Sequence, residues 1–234
     1  MLELKNLTCG YGTFEAVSDL SLVLQPGTIT ALVGANGAGK SSTLMCIAGH
    51  VQLHRGTILF EKHDISTMAP PDRVRLGIAI SPEGRRLFKD LSVEDNLRVG
   101  GLIRPKTDFD EDREKVLTLF PRLGERLNSL AGNLSGGEQQ MLAIGRALMT
   151  RPKLIMIDEL SLGLMPKVID LCYDALQQLR SEGMTILLVE QNTDRALSVA
   201  DQVCVLESGR TVWQGSAEAA AQDPDLAAAY LGLH

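Results

Sequence analysis

The stretch that most constrains this 234-residue chain is Gly34-Ala35-Asn36-Gly37-Ala38-Gly39-Lys40-Ser41. It directly follows the apolar run 29–33 (ITALV) and precedes a helix-prone segment. GxxxxGK[ST] in that setting commits the chain to a strand that ends in a glycine-rich loop and feeds a helix. The glycines let successive backbone N–H groups curl around an anion, where any Cβ would obstruct the approach. The helix behind them adds the positive end of its dipole. Lys40 is expected to reach the β- and γ-phosphates of a nucleoside triphosphate, and the Ser41 hydroxyl to ligate Mg²⁺. A glycine-rich turn without a ligand would require neither lysine nor hydroxyl.

Other apolar runs extend the picture. Residues 78–80 (IAI), 154–157 (LIMI) and 186–189 (ILLV) are short and continuous rather than alternating. They predict strands buried on both faces of a largely parallel sheet. Residues 42–48 and 166–182 have helical composition and spacing, and the alternation predicts an α/β fold with crossover helices. The N-terminal part differs: 2–7, 16–24 and 56–60 read as short strands separated by Gly-rich or polar turns, an antiparallel accessory sheet. From about 82 to 150 the pattern is helical with no strong strand run, as expected of an inserted helical subdomain within a single domain spanning 1–234. The tail SAEAAAQDPDLAAAYLG is Ala-rich and helix-prone.

Composition narrows the function classes. Net charge is −6, against the basic footprint of a protein that wraps nucleic acid. Cys9, Cys46, Cys172 and Cys204 form no CxxC pair and read as small core hydrophobes, which fits a reducing cytoplasm. The start, MLELKNLTCGYG, shows no signal peptide. No run approaches the roughly 18 apolar residues of a membrane span, so service to a membrane would need docking onto subunits that cross it. His50, His54, His63 and His234 give no trusted metal spacing; His50 and His54 are expected on the surface. Trp213 is expected to pack in a C-terminal strand.

The run 154–159 (LIMIDE) ends a strand in two acids, at the sheet edge where ligands bind in open α/β folds. Asp158 is expected to hold the Mg²⁺ shell through water, and Glu159 to polarise an attacking water as general base.

Between these motifs lies Leu134-Ser135-Gly136-Gly137-Glu138-Gln139-Gln140. Ser135 can N-cap the next helix, whose exposed N–H groups are also an anion site. In this order and spacing the chain resembles the nucleotide-binding subunits of ABC transporters, whose signature is LSGGQ, over essentially its whole length. The resemblance implies a P-loop NTPase fold of ABC type, with an antiparallel β-subdomain and an inserted helical subdomain. It implies ATP and Mg²⁺, with Gly34, Asn36, Gly37, Ala38, Gly39, Lys40, Ser41 and Ser42 around the phosphates and Tyr11 stacked on adenine. Ser135, Gly136 and Gly137 would meet the γ-phosphate held by the opposite subunit, and Ser161-Leu162-Gly163-Leu164 would cross the dimer interface. Two ATPs would close a head-to-tail sandwich and hydrolysis would reopen it.

Three positions depart from the family pattern: Glu83 replaces a glutamine, Gln191 a histidine, and Leu164 an aspartate. Gln191 can donate an amide hydrogen bond to the γ-phosphate but carries no proton. Glu83 can bind the Mg²⁺ shell, though its charge adds to those of Asp158 and Glu159. Glu159 is retained, so hydrolysis is expected.

PEGRRLF (82–88), LVEQN (188–192), SLGL and the terminal AAYLG look like the ATPases of high-affinity branched-chain amino acid importers, and the chain is similar to the smaller of their two ATPase subunits. The implied partners are a second ATPase subunit, two membrane-spanning permeases and a solute-binding protein, with no nucleic acid. The implied location is the cytoplasmic face of the membrane. Arg85, Arg86, Leu87 and Phe88 would receive a permease coupling helix, unless Leu87 and Phe88 are core and the arginines a solvated patch. Rival readings are a DNA-associated ABC ATPase and a scaffold ATPase for metal-cluster assembly. Only 94 residues separate Lys40 from Ser135, too few for a long coiled-coil insertion. Urea, short amides and aromatic acids are alternative solutes.

Overall fold

The chain begins as a hairpin: β1 (Leu2–Tyr11) and β2 (Phe14–Leu24) pair antiparallel, turning at Gly12 and Thr13. β3 (Ile29–Val33) then feeds α1 (Lys40–Ile47). β4 (Gln52–Phe60) returns along β1, and β5 (His63–Asp64) closes the accessory sheet in the order β2-β1-β4-β5. α2 (Pro70–Leu76) leads to β6 (Ile78–Ser81). Helices follow: α3 (Val93–Gly100), α4 (Phe109–Leu119), α5 (Pro121–Gly124) and α6 (Gly136–Leu148), with 3₁₀ turns between them. β7 (Leu154–Asp158), α7 (Pro166–Ser181), β8 (Thr185–Glu190), α8 (Thr193–Val199), β9 (Gln202–Glu207), β10 (Arg210–Ser216) and α9 (Ala217–Gln222) follow among the described residues. This computed structural model describes residues 1–223 and 226; the terminal AAYLG and His234 lie outside the described residues.

The second sheet runs β10-β9-β3-β8-β7-β6, parallel except for the antiparallel edge pair β10/β9. Every residue of β3, β7 and β8 is buried, the outcome expected of continuous apolar runs. Successive side chains serve opposite faces. Met156 and Leu187 join the core under α1 and the accessory sheet, whereas Ile157 and Leu188 join the core under α3–α7. A third core gathers α8 and α9 against Val33 and Val205, with Trp213 packed on it. All four cysteines are free and buried.

The accessory strands outrun their sequence patterns. β4 starts at Gln52 rather than 56 because β1 pairs with it as far as Gly10↔Gln52. That extension takes in His54, which is half-buried with an unpartnered Nε2; His50 is exposed as expected. Buried Arg73 donates to the Cys46 and Ile47 carbonyls at 2.9 Å each and to Met68 and Ser66, anchoring the carboxyl end of α1. Among the described residues no helix is long and apolar enough to cross a membrane.

Candidate nucleotide site

The loop 34–39 leaves the carboxyl end of β3, the central strand of the larger sheet. Gly39 caps α1 at φ 101°, and a Cβ there would lie 2.8 Å from the Ala16 carbonyl oxygen and 2.7 Å from a Val17 methyl. Only glycine fits. No side chain caps α1 and no acid occupies its first turn, which leaves its N-terminal N–H groups available to an anion. Lys40 is 4% exposed, and its Nζ donates to Gly34 O at 2.8 Å and Ala35 O at 3.1 Å. An ammonium has three donors, so one remains. Burial lowers the lysine's pKa, while the carboxylates of Glu159, Asp158 and Glu190 act against that shift.

Ser41 Oγ donates to Asp158 Oδ1 at 3.0 Å, joining the two motifs that sequence separates by more than a hundred residues. Asp158 is buried at the end of β7. Burial, with help from the charges of Glu159 and Glu83, pushes its carboxyl up to about 6; the Ser41 hydrogen bond and Lys40 oppose this. Glu159, next along, has a left-handed backbone (φ 51°) fixed by its N–H donating to Val189 O at 2.9 Å. A non-glycine residue at positive φ costs of order 1 kcal/mol or more, a strain commonly found at functional positions.

A cavity of about 520 Å³ opens over this loop. Its wall joins Asn36, Gly37, Gly39, Lys40, Ser41 and Ser42 to Tyr11, Glu83, Glu159 and Gln191. Gly34 and Ala38 line an adjoining hollow on the other side of the loop, and Asp158 lies beneath Ser41 rather than in the wall. Sequence reasoning passed over Phe14 and Ala16, which share the wall, and gave Leu162, also in it, only to the interface loop 161–164. The readable signal for Phe14 was its place just across the Gly12-Thr13 turn from Tyr11, with which it pairs in the hairpin; both are more than half exposed. Glu190, fully buried behind Gln191, was also passed over.

Ser135, Gly136 and Gly137 do not reach this cavity. Ser135 is exposed at the start of α6, and a Cβ on Gly137 would fall 2.3 Å from a Val168 methyl of α7, so that glycine allows close helix packing. Arg85 and Arg86 both have positive φ (65° and 45°), and Arg85 donates to Gln139 and Gln140 of α6 at 3.3 Å each. Leu87 packs against the helical core while Phe88 is half exposed under Arg146, so the two divide between the alternative readings.

A profile described as ABC transporter matches residues 17–161, a span that holds the glycine loop, the signature segment and the acids 158 and 159 at the end of β7. The chain belongs to the ABC transporter family. It is an ABC ATPase, a protein that binds ATP and hydrolyses it to drive transport. The cassette is 47% identical, over 99% of its length and 100% of the relative's, to the high-affinity branched-chain amino acid transport ATP-binding protein BraG of Pseudomonas aeruginosa. It is 37% identical to the probable branched-chain amino acid transport ATP-binding protein LivF of Archaeoglobus fulgidus, over 93% of this chain and 92% of that one. The solved ADP conformation of an ATP-binding cassette of an ABC transporter matches it with a TM-score of 0.86 at 27% identity, covering 97% of each chain.

Proposed function

We propose that this cassette powers the import of branched-chain amino acids, working with a second ATPase subunit beneath two permeases on the cytoplasmic face of the membrane and fed by a solute-binding protein. The observation that carries the reading is the 47% identity with BraG across both full lengths. The division of the site supports a paired mechanism: one chain gathers the P-loop, Glu159 and Gln191 around the cavity, and its own signature residues lie outside it. The helical segment 82–150 is the proposed permease-facing unit, with half-exposed Phe88 and the adjacent Arg86 as contact residues.

In the proposed site Tyr11 stacks on adenine, and the N–H groups of 34–42 with Lys40 hold the phosphates. The donor set suits Mg²⁺ rather than a protein-caged metal. Ser41 Oγ and Asp158 already touch, Glu83 borders the same cavity, and the described residues contain no cluster of three metal-ligating side chains. Mg²⁺ would be held by Ser41, Asp158 and Glu83, and would supply positive charge against the triphosphate and the carboxylates of Asp158, Glu83 and Glu159. Glu159 takes the proton of the attacking water, and Gln191 donates its amide N–H to the γ-phosphate. Ser135, Gly136 and Gly137 of the second subunit complete the donor ring around that phosphate.

The test is reconstitution with the permeases in liposomes. Branched-chain amino acid with its binding protein should stimulate ATP hydrolysis and solute uptake. Stimulation by DNA or by a metal-cluster scaffold, with none from the permeases, would overturn the reading; uptake of urea or amides instead would replace the solute. In the same assay Glu159→Gln should lower hydrolysis by about 10²–10⁴, the span of a lost general base. The ATP-bound dimer should accumulate in size-exclusion chromatography.

A further inference from the structure

β8 reads TILLVE: five interior residues and then a carboxylate, Glu190, only 1% exposed. A buried carboxylate persists only where donors replace the water it loses. Glu190 has three, all neutral. Its Oε1 accepts from the Ser161 N–H at 2.9 Å and from the Tyr173 hydroxyl at 3.1 Å, and its Oε2 accepts from the Ser161 hydroxyl at 2.9 Å. Burial raises the pKa of this carboxyl and the nearby charge of Glu159 adds to the effect; the hydrogen bonds from Ser161 and Tyr173 counter it.

The positions of those donors give the contact its meaning. Ser161 is the root of the loop 161–164, and Tyr173 belongs to α7, the helix into which that loop runs. Glu190 therefore ties the root of the loop to α7. Its chain neighbour Gln191 lines the nucleotide cavity, and Val189, its other neighbour, accepts the hydrogen bond that fixes Glu159. Glu159, Ser161, Glu190 and Gln191 also border one hollow of about 380 Å³. The root of the loop is thus bonded to a buried carboxylate whose chain neighbours carry the phosphate-contact position and the anchor of the catalytic-base position.

We propose that Glu190 is a positioning residue that sets Glu159 and Gln191 according to the seating of the loop 161–164. This rests on the reading of that loop as a dimer-interface segment. Engagement of the loop by the opposite subunit is then passed through Ser161 to Glu190 and on to both ends of its strand. A carboxylate is required because three donors converge on two acceptor oxygens; an amide would place its own N–H₂ against at least one of them.

The experiment uses the complex with the second ATPase subunit and permeases, comparing Glu190→Gln, Glu190→Asp and Tyr173→Phe with wild type. Glu190→Gln should lower kcat about tenfold while KM for ATP stays within about twofold, because the loss falls on alignment rather than on nucleotide binding. Glu190→Asp, which keeps both oxygens, should recover part of the rate, and Tyr173→Phe should lower kcat about threefold with KM unchanged. A lowered melting temperature with wild-type kcat, or a raised KM at wild-type kcat, would overturn the proposal. If Glu190→Gln does not fold, Tyr173→Phe decides: a threefold fall in kcat supports the assignment and an unchanged kcat overturns it. The outcome is separable from the transport reading, since that reading fails when wild type ignores its permeases, whatever these variants do.

Discussion

Two helices of this cassette start at loops assigned to phosphate, and they start in opposite ways. α1 has Gly39 as its cap, no capping side chain and no acid in its first turn. α6 is closed by its own residues: Ser135 Oγ accepts from Glu138 N–H at 3.3 Å, and Glu138 Oε2 accepts from Ser135 N–H at 2.9 Å. The first terminus keeps its donors for an incoming anion, beside a buried lysine. The second has satisfied two donors internally and carries a negative charge where an anion would land. A capping interaction of this kind stabilises by about 1 kcal/mol, which a phosphate must outcompete. Under the proposed paired mechanism the contrast sets an order of events: nucleotide would seat on its own P-loop first, and the signature helix of the other subunit would be recruited second.

The sharpest way to break this comparison is Lys40→Ala. It should weaken Mg-ATP binding to the isolated chain about a hundredfold, the loss of a charge-assisted contact of about 3 kcal/mol. Calorimetric titration returning the wild-type Kd would remove the prebuilt half of the contrast.

The prebuilt half should also be electrostatically loaded. Asp158, with its carboxyl at about 6 against an ordinary value near 3.8, is destabilising when ionised. The sign follows from linkage: stability contributed by the protonated acid is fully present below 3.8 and is lost as pH rises through about 6. Asp158→Asn should therefore stabilise the metal-free protein by about 2–3 kcal/mol at pH 7.5, with the gain shrinking toward pH 4, while Mg-ATP binding is lost. Urea denaturation at the two pH values measures it, and an equal gain at both would refute the electrostatic account.

On the other side, Ser135→Ala removes the α6 cap at a cost of about 1 kcal/mol in stability. Isolated-chain affinity for Mg-ATP should not change, and ATP hydrolysis by the assembled pair should fall about tenfold. A loss of affinity in the isolated chain would mean that the signature helix serves its own nucleotide.

The two ends also differ in how far sequence revealed them. The P-loop was legible because its requirements are local: a strand, glycines that admit backbone, a lysine and a hydroxyl within eight positions. The buried strands were legible because β3, β7 and β8 carry unbroken apolar runs. What escaped depends on partners far along the chain. The length of β4 is set by its register with β1. The left-handed backbone of Glu159 is held by Val189, and the burial of Glu190 is matched by Ser161 and Tyr173, contacts that no local pattern encodes. Ser135 was read as a cap, and its S-x-x-E spacing to Glu138 also encoded the reciprocal half of the capping box, which the sequence reading did not take up.

That reciprocal bond leads to the smallest effect. Glu138 is also paired with Arg122 at 3.4 Å and Arg126 at 4.0 Å, both about half exposed, so these ion pairs contribute little. Glu138→Gln keeps an acceptor for the Ser135 N–H and removes the charge from the first turn. If α6 is held shut against phosphate partly by that charge, the variant should form the ATP-dependent dimer about two- to fivefold more tightly, the range of a charge at a helix N-terminus. The gain should fade as salt screens the repulsion. Sedimentation of the pair at low and high ionic strength reads both effects. A weaker dimer at low salt would mean instead that Glu138 is needed to shape the loop, and the opposition between the two helix ends would then rest on geometry alone.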